Sequence, residues 1–170
     1  MSSNYSSEQI NELIRENERR KRYFVTKIKP RFSDYVYDNK IHFSKLFEFF
    51  EMARFEIVHG FYNFCREEHQ GSDAENLGNF VVVRINSESF EALESSARGE
   101  ISVKTALIVH QKPLLEFEQT AFNENECQLI KANIKIAIVN KDLKKAESWD
   151  RDILLAMLEF INLKGKEEII

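Results

Sequence analysis

The sequence has few cysteines, prolines and glycines, and it carries no excess of positive charge. Two cysteines among 170 residues cannot build a disulfide framework or a four-cysteine metal site. The five glycines form no phosphate-binding loop, and the G-x-S-x-G motif of serine hydrolases does not occur. A net charge of -4 at pH 7 argues against nucleic acid or an anionic membrane surface as a partner.

Long apolar runs are also missing. No run approaches the ~18 residues of a membrane-spanning helix, and the first residues do not resemble a secretory signal. We therefore expect a protein of the reducing cytoplasm. The four histidines, His42, His59, His69 and His110, are scattered, and no close Cys/His pair has the spacing of metal ligands, so we expect neither a metal nor a cofactor.

Phenylalanine is abundant, with 14 residues, and much of it falls in one segment. From Phe43 to about Glu67, apolar residues recur at three- and four-residue spacing, which is typical of a helix with one long buried face. The residues of this face are Phe43, Leu46, Phe47, Phe50, Ala53, Ile57, Val58, Phe61 and Phe64. The pattern predicts a helix at the centre of the fold.

The segment before this helix predicts a shorter helix and a strand. The run Ser6-Ser7-Glu8-Gln9, with a hydroxyl N-cap and Gln9 three residues on, is typical of a capping box at a helix start. That helix ends in the cations of residues 19–22, which complement its dipole. Alternation from Tyr23 to Phe32 predicts a first strand, limited by Pro30. Residues 33–41 are polar and predict a loop.

Four further strands and a last helix complete the pattern. The strands are predicted at Asn79–Ile85, Ile101–Gln111, Leu114–Asn123 and Gln128–Asn140, as an antiparallel meander. Ser148 or Asp150 is expected to cap the last helix. We expect an N-terminal helical extension (1–22), one domain (23–163), and a tail (164–170) without an evident role.

An apolar helix among antiparallel strands has to be covered, so the sheet must wrap around it. The predicted fold class is therefore α+β: a hot-dog fold, in which a curved antiparallel sheet encloses a long central helix, with additional N-terminal and C-terminal helices.

The junction between the loop and the central helix carries a family resemblance. Residues 31–54 read RFSDYVYDNKIHFSKLFEFFEMAR. This segment resembles, without a gap, the R-F-x-D-x-D motif, the following turn and the Y-F-E-x-A-R helix of hot-dog thioesterases of the 4-hydroxybenzoyl-CoA thioesterase type. The resemblance covers roughly Tyr23 to Phe160. It implies hydrolysis of acyl thioesters of coenzyme A or acyl carrier protein.

One position departs from the family pattern. Where the family has its usual catalytic carboxylate, the second Asp of D-x-D, this sequence has Val36. Loss of a general acid or base costs about 10²- to 10⁴-fold in rate. Asp34, Asp38 and His42 lie close by in sequence, and any of them is a candidate substitute.

The resemblance also implies a binding site and a partner subunit. The first turn of the helix would polarise the thioester carbonyl, with Ser44 as a hydrogen-bond donor to substrate or as a cap. The acyl group would lie among Phe43, Phe47 and Phe50. The family assembles edge to edge, which implies a homodimer or homotetramer. Because of Val36, the alternative is a catalytically reduced thioester-binding module or biosynthetic partner protein.

Overall fold

The computed structural model describes residues 5–35, 41–68, 79–89, 99–110, 114–139 and 151–167. The elements are α1 (Ser7–Arg19), β1 (Arg22–Ile28), a 3-10 turn (Phe32–Asp34), α2 (Phe43–Glu68), β2 (Asn79–Ser89), β3 (Ile101–Val109), β4 (Leu114–Phe122), β5 (Gln128–Val139), α3 (Arg151–Lys164) and β6 (Lys166–Glu167).

These bounds agree with the predicted elements except at three places. β1 ends at Ile28, four residues earlier than predicted, because Pro30 lacks an N–H group and the chain then turns at Phe32–Asp34. β2 runs to Ser89, beyond its predicted end. The tail, predicted to have no evident role, contains β6. The predicted cap of the last helix, Ser148 or Asp150, lies outside the described residues.

The six strands form one antiparallel sheet in the order β2-β5-β4-β3-β1-β6. β1 and β2, which flank α2 in the chain, are thus at opposite sides of the β5-β4-β3 meander. β4 alternates strictly between half-buried and buried positions. Inward residues of neighbouring strands therefore align in rows across the face that meets α2.

Helix α2 packs its apolar face on this sheet. Leu46, Phe50 and Ala53 are fully buried, and Ile57 and Phe61 continue the same face. Burial of a large apolar side chain stabilises the fold by about 1.5–3 kcal/mol relative to exposure. This face is the one that the spacing of the sequence predicts. Within the described ranges, no helix is both long and apolar enough to cross a bilayer.

α1 is attached to the sheet by polar side chains as well as by Ile10 and Ile14. It begins at a capping box, in which Ser6 Oγ accepts from the Gln9 N–H and the Gln9 side chain accepts from the Ser6 N–H. Near its end the buried Asn17 accepts from the Val109 N–H (3.0 Å) and donates to Leu107 O (3.5 Å). Asn17 therefore pairs with β3 as a neighbouring strand would.

Ionic contacts reinforce this attachment. Lys21 Nζ lies 2.6 Å from Glu118 Oε1 on β4. His110 bridges Glu18 of α1 (3.1 Å) and Glu116 of β4 (2.9 Å) through its two ring nitrogens. Burial raises the pKa of Glu116, but hydrogen bonds from His110 and Lys135 more than offset this effect, and its pKa is lowered.

The C-terminal helix, α3, packs against the C-terminal part of α2. Phe160 of α3 stacks on Phe24 of β1 at 5.5 Å and contacts Phe61 and Phe64 of α2 edgewise or tilted. At Gly165, where α3 gives way to β6, an added Cβ would lie 2.7 Å from Ile161 O. A glycine at this position therefore allows the chain to turn back along β1.

We predict that Asn17→Ala lowers the free energy of unfolding by about 1–3 kcal/mol, because the buried Val109 N–H loses its acceptor. Urea denaturation measures the change. Asn11→Ala on the same helix is the matched control, since Asn11 is half-buried and is expected to change stability little. Equal effects of the two substitutions would contradict this account of how α1 is attached.

Candidate active site at the start of the long helix

The connection from β1 to α2 is closed by short-range contacts. After the turn at Phe32–Asp34, Tyr35 forms an isolated antiparallel bridge with Ile41. The bridge brings the two ends of the intervening segment together, so Asp34 lies beside the start of α2. Val36 and Asp38, which the sequence singles out, fall in residues 36–40 and lie outside the described residues.

Asp34 is buried, and its carboxylate accepts a hydrogen bond within its own turn. Its Oδ2 accepts from the Arg31 N–H at 2.7 Å, and its Oδ1 lies 3.9 Å from Lys45 Nζ. Its backbone oxygen accepts from the His42 N–H at 3.3 Å. Only 9% of the residue is exposed. Asp34 therefore holds the position of His42 and the first turn of α2, with little of its carboxylate open to water.

His42 caps α2 with its ring. Its Nδ1 accepts from the Ser44 N–H at 3.2 Å, and Ser44 Oγ lies 2.7 Å from the same nitrogen. Its carbonyl oxygen accepts from the Lys45 N–H at 2.9 Å. Because Nδ1 faces an N–H donor, the geometry assigns the ring proton to Nε2. Both His42 and Ser44 are exposed, so this cap is accessible from solvent.

Lys45 lies at the same helix end, between two carboxylates. Lys45 Nζ lies 2.8 Å from Glu48 Oε2. The hydrogen bond that Lys45 donates to Glu48 raises the pKa of Lys45, and the Asp34 carboxylate contributes a smaller effect in the same direction. Because the ammonium group is paired with the Glu48 and Asp34 carboxylates, the helix dipole is what favours an electron-rich oxygen at this helix end.

The predicted acyl-binding phenylalanines differ in their exposure. Phe50 is fully buried in the core, while Phe47 is half-buried and contacts Phe50 edge-on at a centroid distance of 6.1 Å. Phe43 begins α2, but its side chain lies outside the described part of the structure. Of the described pair, Phe47 is the one that is not fully buried.

A separate cavity of about 460 Å³ lies between β1, α2 and α3. It is lined by Phe24, Ile57, Gly60, Phe64 and Phe160, together with polar and charged residues. None of the described site residues predicted from the sequence lines this cavity. The cavity and the start of α2 are therefore two separate regions of the surface.

The start of α2 is suited to binding a carbonyl oxygen. The first N–H groups of a helix have no acceptor within the helix, and the Ser44 N–H is held by the side chain of His42. A carbonyl oxygen that replaced Nδ1 as the acceptor would be polarised by the helix and would release the imidazole nitrogen. The arrangement thus couples oxygen binding to a free basic nitrogen.

Comparison with known proteins identifies the fold. No protein-family model matches the chain, and no curated protein matches it. Among solved structures, the DHNA-CoA thioesterase from Staphylococcus aureus is similar, with a TM-score of 0.61 and 19% identity over 83% of this chain and 92% of that chain.

Two further similar structures contain coenzyme A. A Staphylococcus aureus protein in complex with CoA has a TM-score of 0.64 and 10% identity, over 88% of this chain and 89% of that chain. A Thermus thermophilus thioesterase complexed with coenzyme A and zinc has a TM-score of 0.59 and 14% identity, over 81% and 93%. The chain therefore has the predicted α+β hot-dog fold, which it shares with thioesterases of low sequence identity.

We predict that His42→Ala lowers the free energy of unfolding by about 0.5–2 kcal/mol, because the Ser44 N–H loses its cap. His42→Asn should restore part of the loss, since Asn is a favoured capping residue. Chemical denaturation measures both. His59→Ala is the control, because His59 is exposed in the middle of the same helix. If His42→Ala and His59→Ala have the same effect, His42 is not the cap.

Proposed function

We propose that this protein is a cytoplasmic hydrolase of acyl thioesters of coenzyme A or acyl carrier protein, of the 4-hydroxybenzoyl-CoA thioesterase type. The observation that carries the proposal is the solvent-accessible start of α2, where the exposed His42 ring covers the Ser44 N–H. The CoA-bound structures of the same fold support coenzyme A as the thiol.

In the proposed reaction the thioester carbonyl oxygen takes the place of His42 Nδ1 at the Ser44 N–H. A water oxygen attacks the carbonyl carbon, and the released Nδ1 accepts the water proton. The negative charge that develops on the carbonyl oxygen is stabilised by the helix N–H groups. The C–S bond then breaks, and the leaving thiolate takes a proton from the imidazolium, giving a free acid and a thiol.

His42 is our first choice of base among the three candidates. Its ring is exposed and lies directly at the helix start, whereas the Asp34 carboxylate is buried and already accepts from Arg31. Asp34 is proposed as a positioning residue, because its backbone oxygen holds the His42 N–H. Asp38 remains the alternative base.

The second candidate function is thioester binding without efficient hydrolysis. Two observations favour it. Val36 stands where the resembling family has its usual catalytic Asp, and in the resting arrangement His42 Nδ1 is occupied by Ser44. If the substrate does not displace this contact, the helix still binds the carbonyl oxygen but no base is released. Such a protein would be an acyl-thioester-binding module or a biosynthetic partner for a carrier protein.

We also propose that two copies associate through β2, as a homodimer that is able to form a homotetramer. Among the strands that the structure describes, β2 is the last of the sheet on its side. Val82, Val83 and Ile85 are each about half exposed. A free edge that carries apolar side chains is a favourable surface for pairing with a second strand. A second copy of β2 would cover both the strand edge and the apolar side chains.

The hydrolysis proposal is tested by thiol release from a panel of acyl-CoA and acyl-carrier thioesters. We expect turnover by the natural protein. His42→Asn keeps a capping side chain but removes the base, so kcat should fall by about 10²- to 10⁴-fold. Asp34→Asn should lower kcat by a smaller factor, and the control His59→Asn should retain the kcat of the natural protein.

Other outcomes of the assay identify the alternatives. If Asp38→Asn abolishes turnover while His42→Asn does not, the base is Asp38. If the natural protein releases no thiol but Val36→Asp does, the protein is a binding module. If neither protein releases thiol or binds a thioester, the proposed function is wrong.

For the assembly, we predict that the natural protein is a dimer and that Ile85→Asp raises the dimer dissociation constant at least about tenfold, since a carboxylate would be buried in the interface. Analytical ultracentrifugation over a concentration series measures it. Val25→Asp is the matched control, because Val25 is equally exposed on β1, at the other side of the sheet. Equal weakening by both substitutions would count against β2 as the interface.

A further inference from the structure

The cavity between β1, α2 and α3 has the main chain of a strand as one of its walls. Four consecutive residues of β1, residues 23–26, line it. The Thr26 hydroxyl donates to Glu56 Oε2 of α2 at 2.6 Å, so Thr26 faces the helix. Because side chains alternate along a strand, the side chain of Val25 points to the opposite face of the sheet. Val25 therefore lines the cavity with its backbone.

The outer edge of β1 is paired over a short distance. On one side β3 pairs with residues 23–28, while on the other side β6 pairs with Arg22 and Tyr23. In the described part of the chain, no strand pairs with this second edge beyond Tyr23. Outward N–H and C=O groups of a strand edge are a template for another strand, and an extended peptide supplies both partners. The cavity thus lies beside a strand edge that is able to accept a peptide.

The middle of the cavity has space for a side chain. Gly60 lines it from the interior of the 26-residue helix α2, where glycine destabilises a helix relative to alanine. A Cβ added at Gly60 would lie 3.4 Å from the ring of Phe160, and this ring stacks on Phe24 at 5.5 Å. Phe24 is only half-buried. An apolar side chain of a ligand would pack against Phe24 at this place.

The ends of the cavity carry opposite charge. Lys164 and Lys166 line it where α3 passes into β6, at the start of β1, and we call this the lysine end. Glu56 lies beside Thr26, about 10 Å farther along β1. The remaining charged residue of the lining, Glu67, is about three turns beyond Glu56 on α2 and opposes one of the two lysines. The lysine end therefore keeps one cation in excess.

β6 determines which end of a peptide would fit. A strand added along β1 beyond Tyr23 would lie in line with β6 and has to stop where β6 begins. Its terminus would then lie at the lysine end, where a carboxylate is favoured over an ammonium group. With its C-terminus there, the added strand runs antiparallel to β1, as β3 and β6 do.

We propose that this cavity binds the C-terminal tail of a partner protein as an additional antiparallel strand on β1, with the terminal carboxylate at the lysine end. Alternate side chains of the tail face α2. The side chain nearest the carboxylate packs against Phe24 and is apolar, and the side chain two residues earlier lies beside Glu56 and is basic. This site is distinct from the start of α2, and the proposal does not depend on thioester hydrolysis.

The carboxylate is tested with two peptides that differ in one group. The probe is a pentapeptide with fluorescein at its N-terminus and the sequence Ser-Thr-Arg-Thr-Leu, made as the free acid and as the C-terminal amide. Fluorescence anisotropy measures the affinity of the natural protein for each. We expect the free acid to bind at least about tenfold more tightly at low salt, and the difference to shrink as NaCl is added. Equal binding of acid and amide, or no binding of the acid, would overturn the proposal.

Pairing of the main chains is tested within the same peptide. One of two adjacent amide N–H groups of an added strand points toward β1, and the next points away from it. N-methylation of the first should reduce the affinity at least about tenfold, whereas N-methylation of its neighbour should leave it nearly unchanged. If the two methylated peptides bind alike, the tail is not a strand of the sheet.

Substitutions of exposed residues test the lysine end without disturbing the core. Lys164→Gln and Lys166→Gln should each reduce the advantage of the free acid over the amide, and the double variant should bring the two peptides to equal affinity. Lys131→Gln on β5 is the control, because Lys131 is an equally accessible cation away from β1. A preference that survives the double substitution, or is lost equally in Lys131→Gln, would contradict the placement of the carboxylate.

The other end of the cavity is tested by reversing a charge. Glu56→Lys should make the protein prefer a peptide with Glu in place of Arg, whereas the natural protein prefers Arg several-fold. Glu51→Lys makes the same charge change at an exposed residue of α2 that does not line the cavity, and it should keep the preference for Arg. If Glu51→Lys and Glu56→Lys change the preference equally, the basic side chain does not lie at Glu56.

Discussion

The packing of α2 against the antiparallel sheet is the contact on which the rest of the structure depends. Leu46, Phe50 and Ala53 are fully removed from water, and β3 and β4 supply the opposing surface. The same contact fixes the helix axially, because Gln119 bonds to the Phe50 carbonyl as well as to Arg54. A helix held in this way presents its first turn at a fixed place, where a carbonyl oxygen can be bound without reorganisation of the backbone.

The polar groups of the proposed site lie at the start of α2. At the start of α2, His42 satisfies the Ser44 N–H with its own ring, and in the proposed reaction the substrate competes with this cap. This helix end is thus suited to an oxygen that becomes negative during the proposed reaction.

Local patterns predicted most of the fold. The three- and four-residue spacing from Phe43 onward placed α2 to within one residue of its end, and Ser6 with Gln9 located the start of α1. Alternation located β3, β4 and β5. The contacts that sequence could not supply are long-range: Asn17 with β3, His110 with Glu18, and β6 with β1. A lone Asn or His in a sequence carries no periodic signal, and a two-residue strand is too short to show alternation.

For the site, the sequence by itself determined that Asp34, His42 and Ser44 stand near the start of α2. Their short separation along the chain is the reason, because residues that are close in sequence must also lie close in space. Only the tertiary structure decided that Asp34 is buried, that His42 is the cap, and that Arg54 meets Gln119. Arg54 and Gln119 are separated by 65 residues. Strand register brings such residues together, and register is settled by the pairing of whole strands over a shared core.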